Sequence, residues 1–175
     1  RPESQVELIA VSKRQPESAI SEAFSAGLRD FGENYPQELR DKARALEHLA
    51  GIRWHAIGPL QLNKAKYVAR HAFAFHALER LDVASELSRR REGAPLSCYL
   101  EVNLAGEPQK SGLAPSELGG FLEGARKLPG LEMVGLMALP PLGEEPEASR
   151  PHFRKLRELG QALSLTGLSM GTSFD

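Results

Sequence analysis

The stretch Leu8-Ile-Ala-Val-Ser-Lys-Arg-Gln-Pro16 decides how the chain is read. The apolar run from Val6 to Val11, with its β-branched residues, predicts a buried strand over 6–13. Pro16 ends that strand and can open a helix at its first turn. Side chains alternate along a strand, so Lys13 shares a face with Val11 and Ile9. One amine is therefore expected at the carboxyl end of a buried strand, among aliphatic neighbours. A desolvated amine has a lowered pKa and becomes a nucleophile toward aldehydes. The alternative is a lysine that snorkels into solvent from a strand end.

The same strand-then-helix unit recurs outward from this stretch. Strands are predicted over 6–13, 29–34, 52–58, 72–78, 96–103 and 131–139, with a seventh starting over 167–171. Helices are predicted over 16–26, 36–49, 62–70, 80–91, 115–128 and 146–163. In the first helix Ala19, Ile20, Ala23 and Phe24 recur at helical spacing, and Gly27 is placed as a C-cap. In the second, Leu39, Ala43 and Leu46 do the same, with Gly51 as the stop. Strands alternating with helices argue for parallel βαβ units.

Seven such units fit either an open doubly wound sheet or a barrel. Lys13, Asn34, His55, Asn103, Met137 and Ser169 fall at the ends of different strands. In a (β/α)8 barrel those ends converge on one mouth. An open sheet would spread them along an edge at about 5 Å per strand. The expected fold is thus α/β, a (β/α)8 TIM-type barrel, in one domain over 1–175. Such barrels typically take about 250 residues. The chain starts at Arg1 and stops at Phe174-Asp175, just past the seventh strand. The expectation is that terminal segments, roughly one strand-helix unit, are absent from it.

Composition narrows the function classes. The 175 residues are 41% hydrophobic and 26% charged, ordinary for a globular domain. A net charge of -1, with basic residues scattered, argues against a nucleic-acid or acidic-membrane partner. The lone cysteine, Cys98, cannot form a disulfide within the chain, fits a reducing cytoplasmic compartment, and sits in an apolar run that suits a packing role. No apolar stretch approaches membrane-spanning length. His71 and His76 are five apart rather than the four of a helical zinc pair, so no metal site is expected. Nucleophile-elbow, P-loop and dinucleotide-binding motifs are missing.

Several motifs follow one another in a recognisable order. They are Ala10-Val-Ser-Lys13 with Pro16, Phe31-Gly-Glu-Asn-Tyr35, Trp54-His-Ala-Ile-Gly-Pro-Leu-Gln61 with Asn63-Lys64, and Val102-Asn103. Lys110-Ser-Gly112, Gly135-Leu-Met137 and Leu168-Ser-Met-Gly171 complete the series. Together they span nearly the whole chain, which resembles the pyridoxal phosphate homeostasis proteins, the YggS/PROSC family. That family is similar to the barrel domain of alanine racemase. The resemblance implies an alanine-racemase-like barrel that holds pyridoxal 5′-phosphate as a Schiff base on Lys13.

It also implies the other cofactor-binding residues. Asn34 could bond the ring hydroxyl or flank the ring, or simply close a turn before Pro36. His55 could pack beside the ring, or be a satisfied core histidine. Met137 belongs to the same set. Ser169, Met170, Gly171 and Ser173 would cradle the phosphate after strand seven, or form a plain turn with a serine cap. Family members usually carry methionine where this chain has Thr172, and phenylalanine where it has Ala56. A second phosphate contact, a Gly-Thr pair after strand eight, is not in this chain. Lys110 is implied to lie near the mouth.

The function expected from the resemblance is pyridoxal phosphate binding in intracellular cofactor homeostasis, without turnover. Pyridoxal-phosphate-dependent apoenzymes are the candidate partners, and a monomer is expected. The alternatives are a pyridoxal-phosphate-dependent racemase-like enzyme and a Schiff-base aldolase using Lys13 alone. Racemisation needs acid–base groups on both faces of the substrate, and no second domain is expected here to supply the far one.

Overall fold

Seven segments of the sequence pair in chain order into one parallel sheet. The computed structural model describes residues 6–107, 110–140 and 146–171. Its strands are β1 (Ala10–Val11), β2 (Asp30–Glu33), β3 (Arg53–Ala56), β4 (Ala74–Leu78), β5 (Leu96–Glu101), β6 (Leu131–Ala138) and β7 (Gly167–Met170). The α-helices are α1 (Glu17–Ser25), α2 (Pro36–Ala45), α3 (Ala65–His71), α4 (Leu81–Arg90), α5 (Leu118–Ala125) and α6 (Arg150–Ala162). Single 3-10 turns, Leu62–Lys64 and Pro146–Ser149, lead into α3 and α6.

One hydrogen bond decides between barrel and open sheet. His76 on β4 lies 2.8 Å from the Ser169 hydroxyl on β7. Three strand spacings in a flat sheet amount to about 14 Å. The sheet is therefore curled until β4 and β7 meet across its interior. It forms a partial barrel, with β1 and β7 each holding one strand neighbour among the described residues.

The main core lies outside the curl, between the strands and the helices. Phe31, Trp54, Phe75, Leu100 and Leu136 pack there with Ile20, Leu39, Leu87, Leu118 and Leu156. Full burial of each such side chain contributes about 1.5–3 kcal/mol. Cys98 belongs to this layer, and burial pushes its thiol up to about 12. The helix stop expected at Gly27 is present. Gly27 adopts φ 106°, its N–H donates to Phe24 O, and Leu28 N–H donates to Ala23 O.

Two expectations need correction. The strand expected over 6–13 is neither long nor buried. Only Ala10–Val11 pair, and Val6, Leu8 and Val11 remain 66%, 69% and 52% exposed. The cause is position: β1 pairs with β2 alone, so among the described residues little apolar surface stands against that run. The second helix also ends sooner. It stops at Ala45, and the chain turns through 46–50 before Gly51 at φ 90°.

Candidate functional site

Every strand points its carboxyl end the same way, because all pairings are parallel. At that end of β1 the chain is held by a buried polar brace. Ser12 N–H carries the ladder on to Gly32 O at 2.9 Å, and Ser12 Oγ donates to Glu33 Oε1 at 2.7 Å. Lys42 on α2 spends its three donors on Ser12 O, Glu33 Oε1 and Glu38 Oε1, at 2.6, 2.8 and 2.7 Å. Arg14 sits at φ 60°, and its N–H donates to Glu38 Oε1 at 2.6 Å. Left-handed backbone costs a non-glycine residue about 1–2 kcal/mol. The brace thus fixes both residues beside Lys13, which is itself half-buried. Burial raises the Glu33 carboxyl above its usual range, although Lys42 and Ser12 hydrogen-bond to it.

The loops around the mouth are equally tied down. Asn34 follows β2 and is half-buried. Gly58 lies against it so closely that a Cβ there would stand 2.5 Å from Asn34 O. That contact explains the glycine of the WHAIG motif. Beyond β5, Asn103 clasps its own loop: Nδ2 donates to Glu107 O at 2.8 Å, and Oδ1 accepts from Glu107 N at 3.1 Å. Gly112, at φ 110°, donates its N–H to Glu79. A cavity of about 330 Å³ lies here, lined in part by Glu101, Asn103, Lys110 and Leu139. Burial, with repulsion from Glu79, pushes the Glu101 carboxyl up to about 7. Lys110 is exposed and pairs with Glu107 at 2.7 Å.

Inside the curl a connected set of polar side chains runs across the sheet. Arg53 donates to Asp30 through Nε and Nη2, at 2.6 and 2.5 Å. His55 Nε2 is 2.8 Å from Asp30 Oδ1, and His55 Nδ1 is 2.9 Å from His76 Nε2. His76 Nδ1 then meets Ser169 Oγ. The Tyr99 ring stacks on His76 at 4.4 Å, 12° from parallel. It has room because Gly167 bears no side chain: a Cβ there would stand 3.1 Å from the tyrosine ring. Burial lowers the Asp30 carboxyl's exposure to water and works to raise its pKa, but hydrogen bonds from Arg53 and His55 outweigh this and hold it below its usual value. Burial depresses His55 despite the pull of Asp30, and takes His76 down to about 3.

The residues read from the sequence therefore fall into separate layers. Lys13 and Asn34 belong to the rim. His55 and Ser169 are joined through His76 in the interior, and Met137 is buried on β6. Gly171 is half-buried beyond β7. Met170 is 51% exposed, out of phase with Ser169 along the strand. Ser173 lies outside the described residues. Asp30, Arg53, His76 and Tyr99 escape a reading of the sequence alone, as do Ser12 and Lys42. The available signal was polar residues on alternate positions of short strands, as in Arg53 and His55. Among the described residues no group of three or more His, Cys, Asp or Glu could hold a metal ion. No helix among them is long and apolar enough to cross a membrane.

Comparison with known proteins agrees with this fold. The family described as alanine racemase, N-terminal domain, matches residues 3–173. A protein of Pseudomonas aeruginosa named pyridoxal phosphate homeostasis protein is 45% identical over 174 residues, covering 97% of this chain and 75% of that one. An Escherichia coli K12 protein of the same name is 40% identical, covering 100% of this chain and 79% of its own length. Among solved structures, PipY of Synechococcus elongatus with PLP bound is 35% identical with a TM-score of 0.85, covering 99% of this chain and 86% of that one. Alanine racemase of Bacillus anthracis has a TM-score of 0.71 at 18% identity, covering 97% of this chain and 46% of that one, a likeness of fold alone. With matches that run almost end to end, the chain belongs to the family of pyridoxal phosphate homeostasis proteins, built on the alanine racemase N-terminal domain.

Proposed function

We propose that this chain binds pyridoxal 5′-phosphate in cofactor homeostasis, through Lys13, and turns over no substrate of its own. The observation that carries the reading is the brace around Lys13. Two buried hydrogen bonds from Lys42, a third that is part-buried, and one from Ser12 fix the turn that presents the amine. Buried ionic groups are costly to assemble and are used where geometry must be held. The side chains fit such a cofactor: an amine at the rim, Asn34 beside it, and the Gly171 backbone past β7. When bound, pyridoxal phosphate supplies an aldehyde that condenses with a lysine amine, and an electron-withdrawing ring. The chain's own residues set the amine's position and close the interior beneath it. Met137 and Ser173 complete the proposed set. The relatives named for pyridoxal phosphate homeostasis and the PLP-bound PipY support the same reading.

We further propose that the protein acts as a monomer in the cytoplasm and hands its cofactor to pyridoxal-phosphate-dependent apoenzymes. The test begins with titration of the purified protein with pyridoxal 5′-phosphate, read by visible absorbance. Borohydride reduction and peptide mapping should then place the cofactor's mass on Lys13. Lys13→Ala should keep its far-ultraviolet circular dichroism and lose the visible band. A band that survives in that variant removes Lys13 from the role. Loss of Cα-deuterium from a panel of amino acids would instead favour a racemase-like enzyme.

A further inference from the structure

Arg53, Asp30, His55, His76 and Ser169 form a single-file chain of hydrogen bonds through the curled sheet. We propose that this chain locks Ser169 as a hydrogen-bond acceptor, so that Ser169 receives an N–H donor and does not donate to a phosphate. The inference deepens the reading of the same site, and its first test does not depend on any bound molecule.

The direction of each hydrogen bond follows from one fixed end. Asp30 is held as a carboxylate by the two-point contact with Arg53, so it only accepts. His55 Nε2 must then carry the hydrogen that faces it. Both rings are neutral, since burial depresses their pKa values. A neutral imidazole has one N–H and one lone pair, so His55 Nδ1 accepts. His76 Nε2 must therefore donate to it across 2.9 Å. That leaves a lone pair on His76 Nδ1, and Ser169 Oγ–H must donate into it across 2.8 Å. The only hydrogen of the hydroxyl is spent below. What Ser169 offers elsewhere is lone pairs.

A phosphate dianion is itself an acceptor and gains nothing from that surface. Reversing the chain would require a hydrogen on Asp30, against the Arg53 guanidinium, or a second hydrogen on His55, against its burial. Asp30, His55 and His76 are thus positioning residues, acting through Ser169. The partner that suits Ser169 is an N–H, from the ring nitrogen of a bound molecule or from the protein itself.

Long-range 1H–15N correlation of the histidine rings in the ligand-free protein tests the lock. Single His→Gln variants assign the signals. The expected result is an Nε2–H tautomer on both His55 and His76; Nδ1–H on either ring overturns the proposal. In Asp30→Asn the two rings must change tautomer together or not at all. One ring changing alone would set two hydrogens or two lone pairs face to face, and would also overturn it. The ligand test compares pyridoxal 5′-phosphate with pyridoxal on wild type and Ser169→Ala. An equal loss for both, on the order of ten-fold for one hydrogen bond, marks a ring N–H on the bound molecule. No loss for either marks a donor from the protein. A loss confined to the phosphorylated form refutes the proposal. Failure to bind either compound counts against cofactor binding alone, and the tautomers still decide the lock.

Discussion

Gly58 illustrates what a single atom does at the rim. A Cβ there would stand 2.5 Å from Asn34 O and 3.0 Å from Asn34 Cα, both of them backbone. Neither can swing away as a flexible side chain would. Gly58→Ala should therefore cost about 1–3 kcal/mol in urea denaturation and weaken cofactor binding by displacing Asn34. An alanine variant as stable as wild type would mean that the segment after β2 moves freely. At this scale the sequence was uneven as a guide. Strand alternation put Lys13 at the carboxyl end of the first strand, where the structure has it just past Val11. It could not pair His76 with Ser169, which are 93 positions apart, because such a contact depends on how tightly the sheet curls. His76 looked instead like half of a failed zinc pair with His71.

The α2 helix is the element that disciplines the lysine turn. Its Lys42 side chain is 7% exposed and sits between two carboxylates, Glu33 and Glu38. Removing that cation leaves Glu33, whose side chain is fully buried, without its counter-charge. Lys42→Met should destabilise the fold by about 3–5 kcal/mol. Adding Glu33→Leu should recover much of the loss, because the uncompensated charge goes too. Urea midpoints of the two single variants and the double variant check this. A double variant no better than Lys42→Met would show that the brace works by shape and not by charge. The helices themselves were legible from their apolar spacing, and their ends less so. The α2 prediction ran past Ala45 because Leu46 and Leu49 continue the period, while the chain there turns back on itself.

For the whole molecule, the barrel was readable from the repeated strand-helix unit and from where polar residues end each strand. The filling of the barrel was not, since an interior of Asp, Arg, His, Tyr and Ser departs from the branched aliphatic layers usual in this fold. That interior sets an acid limit. His76 titrates at about 3 in the folded protein, against about 6.5 when unfolded. Between those values the native state binds fewer protons than the unfolded one. Its contribution to stability is complete above pH 6.5 and declines as the pH falls, by up to about 1.4 kcal/mol per pH unit. His55, also depressed, acts in the same direction. Urea midpoints taken from pH 8 to pH 4 should fall below pH 6.5, and less steeply in His76→Gln; equal slopes would remove His76 as the cause. The placement of the apolar core between strands and helices has one last consequence. Because cohesion resides in that outer shell, side chains in the lumen are free to diversify by descent, and kindred proteins can acquire new chemistries there while the scaffold stays unchanged.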